Sequence, residues 1–146
     1  MRNYTGSIGV MNNYRSKFEE RIAKDLGEFE YESTTLMYNK RTTRKMECLD
    51  CGSAHVLQKA KYLTDFRLSN GIYIEAKGWF KPSDRTKMES VIKCHPELDI
   101  RMLFQKDGWC NKAKTLKYSQ WCDKRKIKWA VGKVPIEWRE EYAEHD

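Results

Sequence analysis

The chain has 146 residues, of which 40% are hydrophobic and 34% charged, with a formal net charge of +7; that bounds it to about one globular domain with a single core. No apolar run approaches the ~18 residues of a membrane span, and Met1 to Val10 lack the apolar stretch of a signal peptide, so a cytoplasmic protein with no membrane partner is expected. Five cysteines, an odd count with one close pair at Cys48 and Cys51, do not resemble a secreted disulfide framework.

In chain order, Tyr14 to Leu26 places Phe18, Ile22 and Leu26 at i, i+4 and i+8 ahead of Gly27, which predicts a helix closed by a glycine. FEYESTTLMY follows as a predicted strand. Lys40 to Ser53, charged and cysteine-containing, predicts a protruding loop or small knuckle, an insertion at about 44–56 within a single domain 1–146. His55 to Leu68 and Ile72 to Trp79 predict two strands joined at SNG as a hairpin. Pro82 to Cys94 predicts a helix with Ser83 as N-cap and Met88, Val91 and Ile92 on one face. A strand over LDIRMLF, a helix over Tyr118 to Lys126, a short strand over Lys128 to Val131 and a helix over Pro135 to Tyr142 complete an α/β order.

The positive charge is uneven. From Lys106 to Lys133, nine Lys or Arg stand against Asp107 and Asp123, a local net of +7. KRTTRK, Lys40 to Lys45, is a second basic cluster. Basic residues interleaved with Trp109, Tyr118, Trp121 and Trp129 suit a polyanion, most simply nucleic acid, although a solvated basic face would read the same way. As single residues, Trp109 and Trp121 read as core or stacking residues, core first, and His95 as a loop or helix-end residue rather than a general base.

In the hairpin, alternation puts Ile72, Ile74 and Ala76 on one face and Tyr73, Glu75 and Lys77 on the other, one face for core and one for chemistry. A two-residue Asn70-Gly71 turn would set Asp65 opposite Ala76 on the apolar face. A three-residue Ser69-Asn70-Gly71 loop, with Gly71 in the left-handed conformation, pairs Leu68 with Ile72 and Asp65 with Glu75. The second register is preferred, because the slip would bury Asp65 and Arg67. Two facing carboxylates repel unless a cation lies between them. Hard oxygen ligands favour magnesium or manganese, and Lys77 on the same face would orient a water or offset charge on a phosphate. Without that ion the trio is only a surface Glu-Lys pair beside a chance aspartate.

The stretch DFRLSNGIYIEAKG resembles the core of the endonuclease I family of T-odd bacteriophages, Holliday-junction resolvases of the PD-(D/E)XK nuclease superfamily. The likeness continues through YRSKFEERIAKDL, SDRTKMESVIKCHPELDIRMLF, YSQWCDKRKIKWA and VPIEWREE, in order and over nearly the whole chain. The resemblance implies a restriction-endonuclease-like mixed sheet flanked by helices, in an intertwined, strand-exchanged homodimer. It implies catalytic residues at Glu19, Asp65, Glu75 and Lys77, with Asp65, Glu75, the Ala76 backbone carbonyl and Glu19 holding one or two magnesium or manganese ions per site. In such a dimer Glu19 of one subunit would join Asp65, Glu75 and Lys77 of the other. The implied reaction is hydrolysis of branched DNA at four-way junctions, leaving 5′-phosphate ends, in the host cytoplasm of a phage. Phosphate contacts are expected from Arg15, Lys40, Arg41, Arg44, Lys45, Arg67, Arg85, Lys87, Lys112, Lys114 and Lys117.

Two places depart from the family. Thr64 stands before Asp65 where the pattern often has proline, and ECLDCGS, Glu47 to Ser53, replaces a shorter connection. Cys48-x-x-Cys51-Gly52 has the spacing of half a zinc knuckle. Cys94, His95, Cys110 or Cys122 would have to complete a structural zinc site within one chain, or two copies of Cys48 and Cys51 across a dimer; otherwise these are two free thiols. The competing readings are a non-catalytic nucleic-acid-binding zinc-knuckle module and a nuclease that nicks ordinary duplex.

Overall fold

A central sheet carries the site, and its strand order explains where the site falls. The computed structural model describes residues 4–6, 14–26, 28–46 and 54–140, with side chains described at 14–26, 28–40 and 58–140. Cys48, Cys51 and the zinc question therefore lie outside the described residues. The elements are β1 (Tyr4–Gly6), α1 (Lys17–Asp25), β2 (Phe29–Tyr31), β3 (Thr35–Met46), β4 (Ala54–Leu63), β5 (Phe66–Leu68), β6 (Tyr73–Lys77), α2 (Pro82–Cys94), β7 (Ile100–Phe104), α3 (Tyr118–Lys124), β8 (Trp129–Val131) and α4 (Ile136–Glu140).

Six strands form one mixed sheet in the order β1-β2-β5-β6-β7-β8, antiparallel as far as β6 and parallel from β6 to β8. Parallel neighbours need crossovers, and α2 and α3 supply them. On one face, Phe18 and Ile22 of α1, its C-cap Leu26 and Trp138 of α4 pack on Phe29, Phe66, Ile74 and Leu103. On the other, Met88 and Val91 of α2 and Trp121 and Cys122 of α3 pack on Tyr73, Met102 and Phe104. Helices thus flank a mixed sheet on both sides, as expected.

The predicted hairpin register is the one observed. Phe66 pairs with Ile74 and Arg67 with Tyr73; Leu68 N donates to Ile72 O at 2.8 Å, and Gly71 N to Leu68 O at 2.9 Å. Gly71 has φ 91°, the left-handed conformation that glycine adopts without a Cβ penalty. The helix Pro82 to Cys94 is observed with the predicted bounds.

Several expectations are corrected. FEYESTTLMY is not one strand: the chain turns between β2 and β3, with Glu32 at φ 50°. KRTTRK is not loop but the outer part of β3, and β3 and β4 form a separate two-stranded ribbon with a register shift between Arg41 and Lys45. Nor is 55–68 continuous, since β4 ends before Thr64 and β5 starts after Asp65. Ser83 is not the N-cap of α2; Lys81 is, and its N–H is satisfied by Asp84 Oδ2 at 3.3 Å. Trp109 is not core but exposed, whereas Trp121 is buried. Finally, β6 has no open face: Tyr73 and Glu75 are buried against the α2 layer, Ile74 and Ala76 against the α1 layer. The chemistry therefore lies at the strand's end, not on a bare side.

Candidate active site

Asp65 sits at the joint between β4 and β5, and that break aims it. Its predecessor Thr64 donates from N and from Oγ1 to Thr34 O, at 3.0 and 3.1 Å, and Glu32 N donates to Asp65 O at 2.9 Å. A proline in place of Thr64 has no N–H to give, so threonine holds the joint with bonds proline cannot make. With β5 running on only from Phe66, the Asp65 side chain takes the place of the next ladder partner: Oδ2 accepts from Ala76 N at 2.9 Å. The N–H and C=O of one strand residue leave the backbone on the same edge, so the Ala76 carbonyl is turned to the Asp65 side as well.

Glu75 is latched from two directions. Asp65 N donates to Oε1 at 3.1 Å, and the Tyr62 hydroxyl donates to Oε2. Lys87 Nζ in turn lies 4.9 Å from the centre of the Tyr62 ring. Asp65 is 5% exposed and Glu75 0%. Burial, followed by the Glu19 charge, pushes the Asp65 carboxyl up to about 7, against the Ala76 N–H, Lys77 and Arg15. Burial and then Asp65 hold the Glu75 carboxyl well above the ordinary carboxylate range, against the Tyr62 hydroxyl, the Asp65 N–H and Lys77. Burial and then Glu75 raise the Tyr62 phenol, which stays a donor.

Glu19 arrives on the first turn of α1. Ser16 caps that helix, its Oγ accepting from Glu19 N at 3.1 Å, and the Tyr31 hydroxyl donates to Glu19 Oε2 at 3.0 Å. Glu19 is 6% exposed, not the solvated first-turn acid that its helix position alone suggests. Within this single chain its charge reaches Asp65 of the same chain. Lys77 closes the group, half-buried, with Nζ 3.7 Å from Asp84 Oδ1.

Of the four expected catalytic residues, Asp65 and Glu75 are joined by a hydrogen bond, and the charges of Glu19 and Lys77 both reach Asp65. The expected DNA contacts scatter. Arg15 lies beside the site, ion-paired to Glu32. Lys40 is exposed, and Arg41, Arg44 and Lys45 follow it along β3. Arg67 lies over the Tyr73 ring and 3.9 Å from Glu30. Lys112 and Lys114 are exposed, and Lys117 covers Trp109. Arg85 is a brace, donating to Phe80 O and Cys110 O at 2.6 and 3.1 Å. Tyr31, Tyr62 and Asp84 were not among the expected residues. A tyrosine three positions before Asp65 in the incoming strand was the available signal for Tyr62; the other two meet their partners only through the fold.

Carboxylate oxygens with a peptide carbonyl make an all-oxygen donor set, which fits a hard divalent cation. The raised carboxyls also fit, since a cation relieves the repulsion that lifts them. Among the described residues no group of three or more His, Cys, Asp or Glu side chains is placed to hold a metal ion. Of the proposed zinc partners, Cys122 is buried on α3, its thiol pushed up to about 12 by burial, and Cys94 is exposed at the end of α2.

Buried acidic residues from a helix, from the joint between two strands and from an interior strand of a mixed sheet, closed by a lysine at that strand's C-terminal end, make the arrangement of a nuclease. The chain belongs to the phage endonuclease I family: the family model described as Phage endonuclease I matches residues 1–145. It is 33% identical over 143 residues to Endonuclease I of Escherichia phage T7, spanning 93% of this chain and 86% of that protein. To Endodeoxyribonuclease 1 of Enterobacteria phage T3 it is 32% identical over 128 residues, 84% of this chain and 74% of that protein. No helix among the described residues is long and apolar enough to cross a membrane.

Proposed function

We propose that this protein is a divalent-metal-dependent endodeoxyribonuclease that resolves four-way DNA junctions as a strand-exchanged homodimer. The observation that carries the reading is the latched pair Asp65 and Glu75, two buried carboxylates, Glu75 accepting from the Asp65 N–H and Asp65 from the Ala76 N–H, with the Lys77 charge reaching both. So much buried negative charge is costly in a structural role and useful in a metal site.

Asp65, Glu75 and the Ala76 carbonyl would hold a magnesium or manganese ion, with Glu19 contributing to the same or a second ion. A bound ion supplies the positive charge that makes water nucleophilic and neutralises charge on the phosphate. Lys77 orients the attacking water and offsets phosphate charge; Asp84 fixes the lysine, and Tyr62 fixes Glu75. Water oxygen bonds to phosphorus as the bond to the 3′ oxygen breaks, leaving 5′-phosphate and 3′-hydroxyl ends.

The ribbon supports the dimer. It is the connection between α1–β2 and the rest of the chain, twelve residues in β3 and ten in β4. An antiparallel ribbon can exchange its pairing for the same pairing with a second copy. Two sites so linked would meet two strands of a junction and read its shape through phosphates rather than base edges. The exposed Lys40 and the loop lysines suit that task.

The test is cleavage of a labelled four-way junction beside a linear duplex of the same sequence, in magnesium and in calcium. Paired nicks near the branch in magnesium, with binding alone in calcium, are expected. Glu75→Ala should abolish cutting and leave junction binding largely intact. If that variant cuts at the wild-type rate, the site is wrongly assigned; if the wild type nicks linear duplex equally well, the junction reading falls.

A further inference from the structure

Two tryptophans stand outside the core just beyond the end of β6. Trp79 is 71% exposed and Trp109 41%. Scattered exposed rings are ordinary, but these two are held in place together. Arg85 donates from one nitrogen to the carbonyl of Phe80, next to Trp79, and from another to the carbonyl of Cys110, next to Trp109. Tyr118 adds a second tie. Its hydroxyl accepts from Phe80 N at 3.3 Å, its own N donates to Gly108 O at 2.9 Å, and its ring lies where a Cβ on Gly108 would come within 2.8 Å. One guanidinium and one phenol thus fix both tryptophan loops against the same buried base.

Each ring also carries an ammonium group. Lys81 Nζ lies 5.5 Å from the centre of Trp79, and Lys117 Nζ 5.3 Å from the centre of Trp109. A cation on one face of an indole leaves the other face for stacking and stands ready for a phosphate. Lysine is depleted from the cores of protein interfaces, so this pairing suits a protein partner poorly. Flat rings beside fixed cations suit a strand whose bases are free to stack and whose backbone is anionic. The position agrees. Trp79 is two residues past Lys77, and Lys77 pairs with Asp84 in the first turn of the helix that Lys81 caps.

We propose that Trp79 with Lys81 and Trp109 with Lys117 form a stacking platform for unpaired DNA bases beside the cleaved strand. It rests on the nuclease reading above and adds to it where the enzyme holds bases set free when a pair next to the branch opens. A fully paired duplex offers no free base face and gains nothing from the platform.

The test titrates a single-stranded oligonucleotide containing 2-aminopurine, whose emission falls when it stacks on an aromatic ring, with the full chain in calcium. The wild type should bind and quench. Trp79→Ala and Trp109→Ala should each weaken single-strand binding about tenfold and remove part of the quenching, while Trp79→Phe and Trp109→Phe keep most of both. Binding to linear duplex and the melting temperature should change little, which separates lost stacking from lost folding. Alanine variants that bind and quench like the wild type, or a wild type that does not quench, overturn the platform. If quenching behaves as expected but the wild type fails to cut a four-way junction in magnesium, the nuclease reading falls and the platform stands. If the junction is cut normally and the alanine variants bind single strands normally, the platform alone falls.

Discussion

The Tyr62 hydroxyl donates to Glu75 Oε2, so the strand that leads into Asp65 also holds the second carboxylate. Tyr62→Phe leaves that buried oxygen without its donor and lifts the Glu75 carboxyl further, so protons compete better with a divalent ion. Loss of a partner that orients a metal ligand typically costs about 10–100-fold in metal affinity or activity. Half-maximal cleavage should therefore need at least about tenfold more magnesium, with DNA binding in calcium unchanged. A variant with the wild-type magnesium dependence would show that the bond does not tune the site.

The same carboxyls set the pH dependence of stability. Folded Asp65 titrates at about 7, raised by burial and by Glu19, and Glu75 is raised by burial and by Asp65. Unfolded carboxyls titrate near ~4. Their contribution is fully present below the unfolded values and is lost as pH climbs through the folded ones. In chelator, the melting temperature should fall by several degrees, on the order of 1–2 kcal/mol, between about pH 5 and about pH 8. Asp65→Asn should flatten that slope. Magnesium competes with the same protons, so its stabilisation should be larger at the alkaline end. A metal-free melting temperature that rises across this range would contradict the raised carboxyls.

Arg85 reads in the sequence as a phosphate contact, and the structure makes it a brace between two carbonyls. Arg85→Ala should cost about 1–3 kcal/mol, seen in urea denaturation. Lysine presents one ammonium where the guanidinium presents a fork, so Arg85→Lys should recover less than half of the loss. Full stability in Arg85→Ala with weakened DNA binding would restore the phosphate reading.

What was legible was local. The hairpin register followed from one glycine and from alternation, because Gly71 decides the turn and a slip would bury Arg67; Asp65, expected to stay out of the core, is buried even in the observed register. The helix Pro82–Cys94 was marked by its proline and its apolar spacing. KRTTRK misled because charge is a poor guide in a ribbon outside the main sheet, where few positions need be apolar. Ser83 looked like the cap, yet the capping carboxylate belongs to Asp84, which also binds Lys77. The break at Thr64 and Asp65 depends on Thr34, thirty residues earlier, and no local pattern carries such a contact. Glu19 needs the same kind of long-range fact, since Tyr31 and Asp65 define its place; family resemblance reached it and helix periodicity did not.

Whether Glu19 serves the Asp65 of its own chain or of a partner can be decided with two inactive variants. In the single chain, the charge of Glu19 reaches its own Asp65. Exchange of the ribbon strands would keep every local contact while sending Glu19 into the partner's site. Glu19→Gln and Glu75→Gln homodimers should each fail to cut in either arrangement. Refolded together, they separate the cases. If Glu19 acts across the dimer, the mixed dimer has one site with both substitutions and one with neither, and it should nick one strand of a junction without the paired second cut. If Glu19 acts within its own chain, each site of the mixed dimer carries one substitution and nothing is cut. Single nicks from the mixture support strand exchange, and silence from a mixed dimer isolated through a different affinity tag on each variant refutes it.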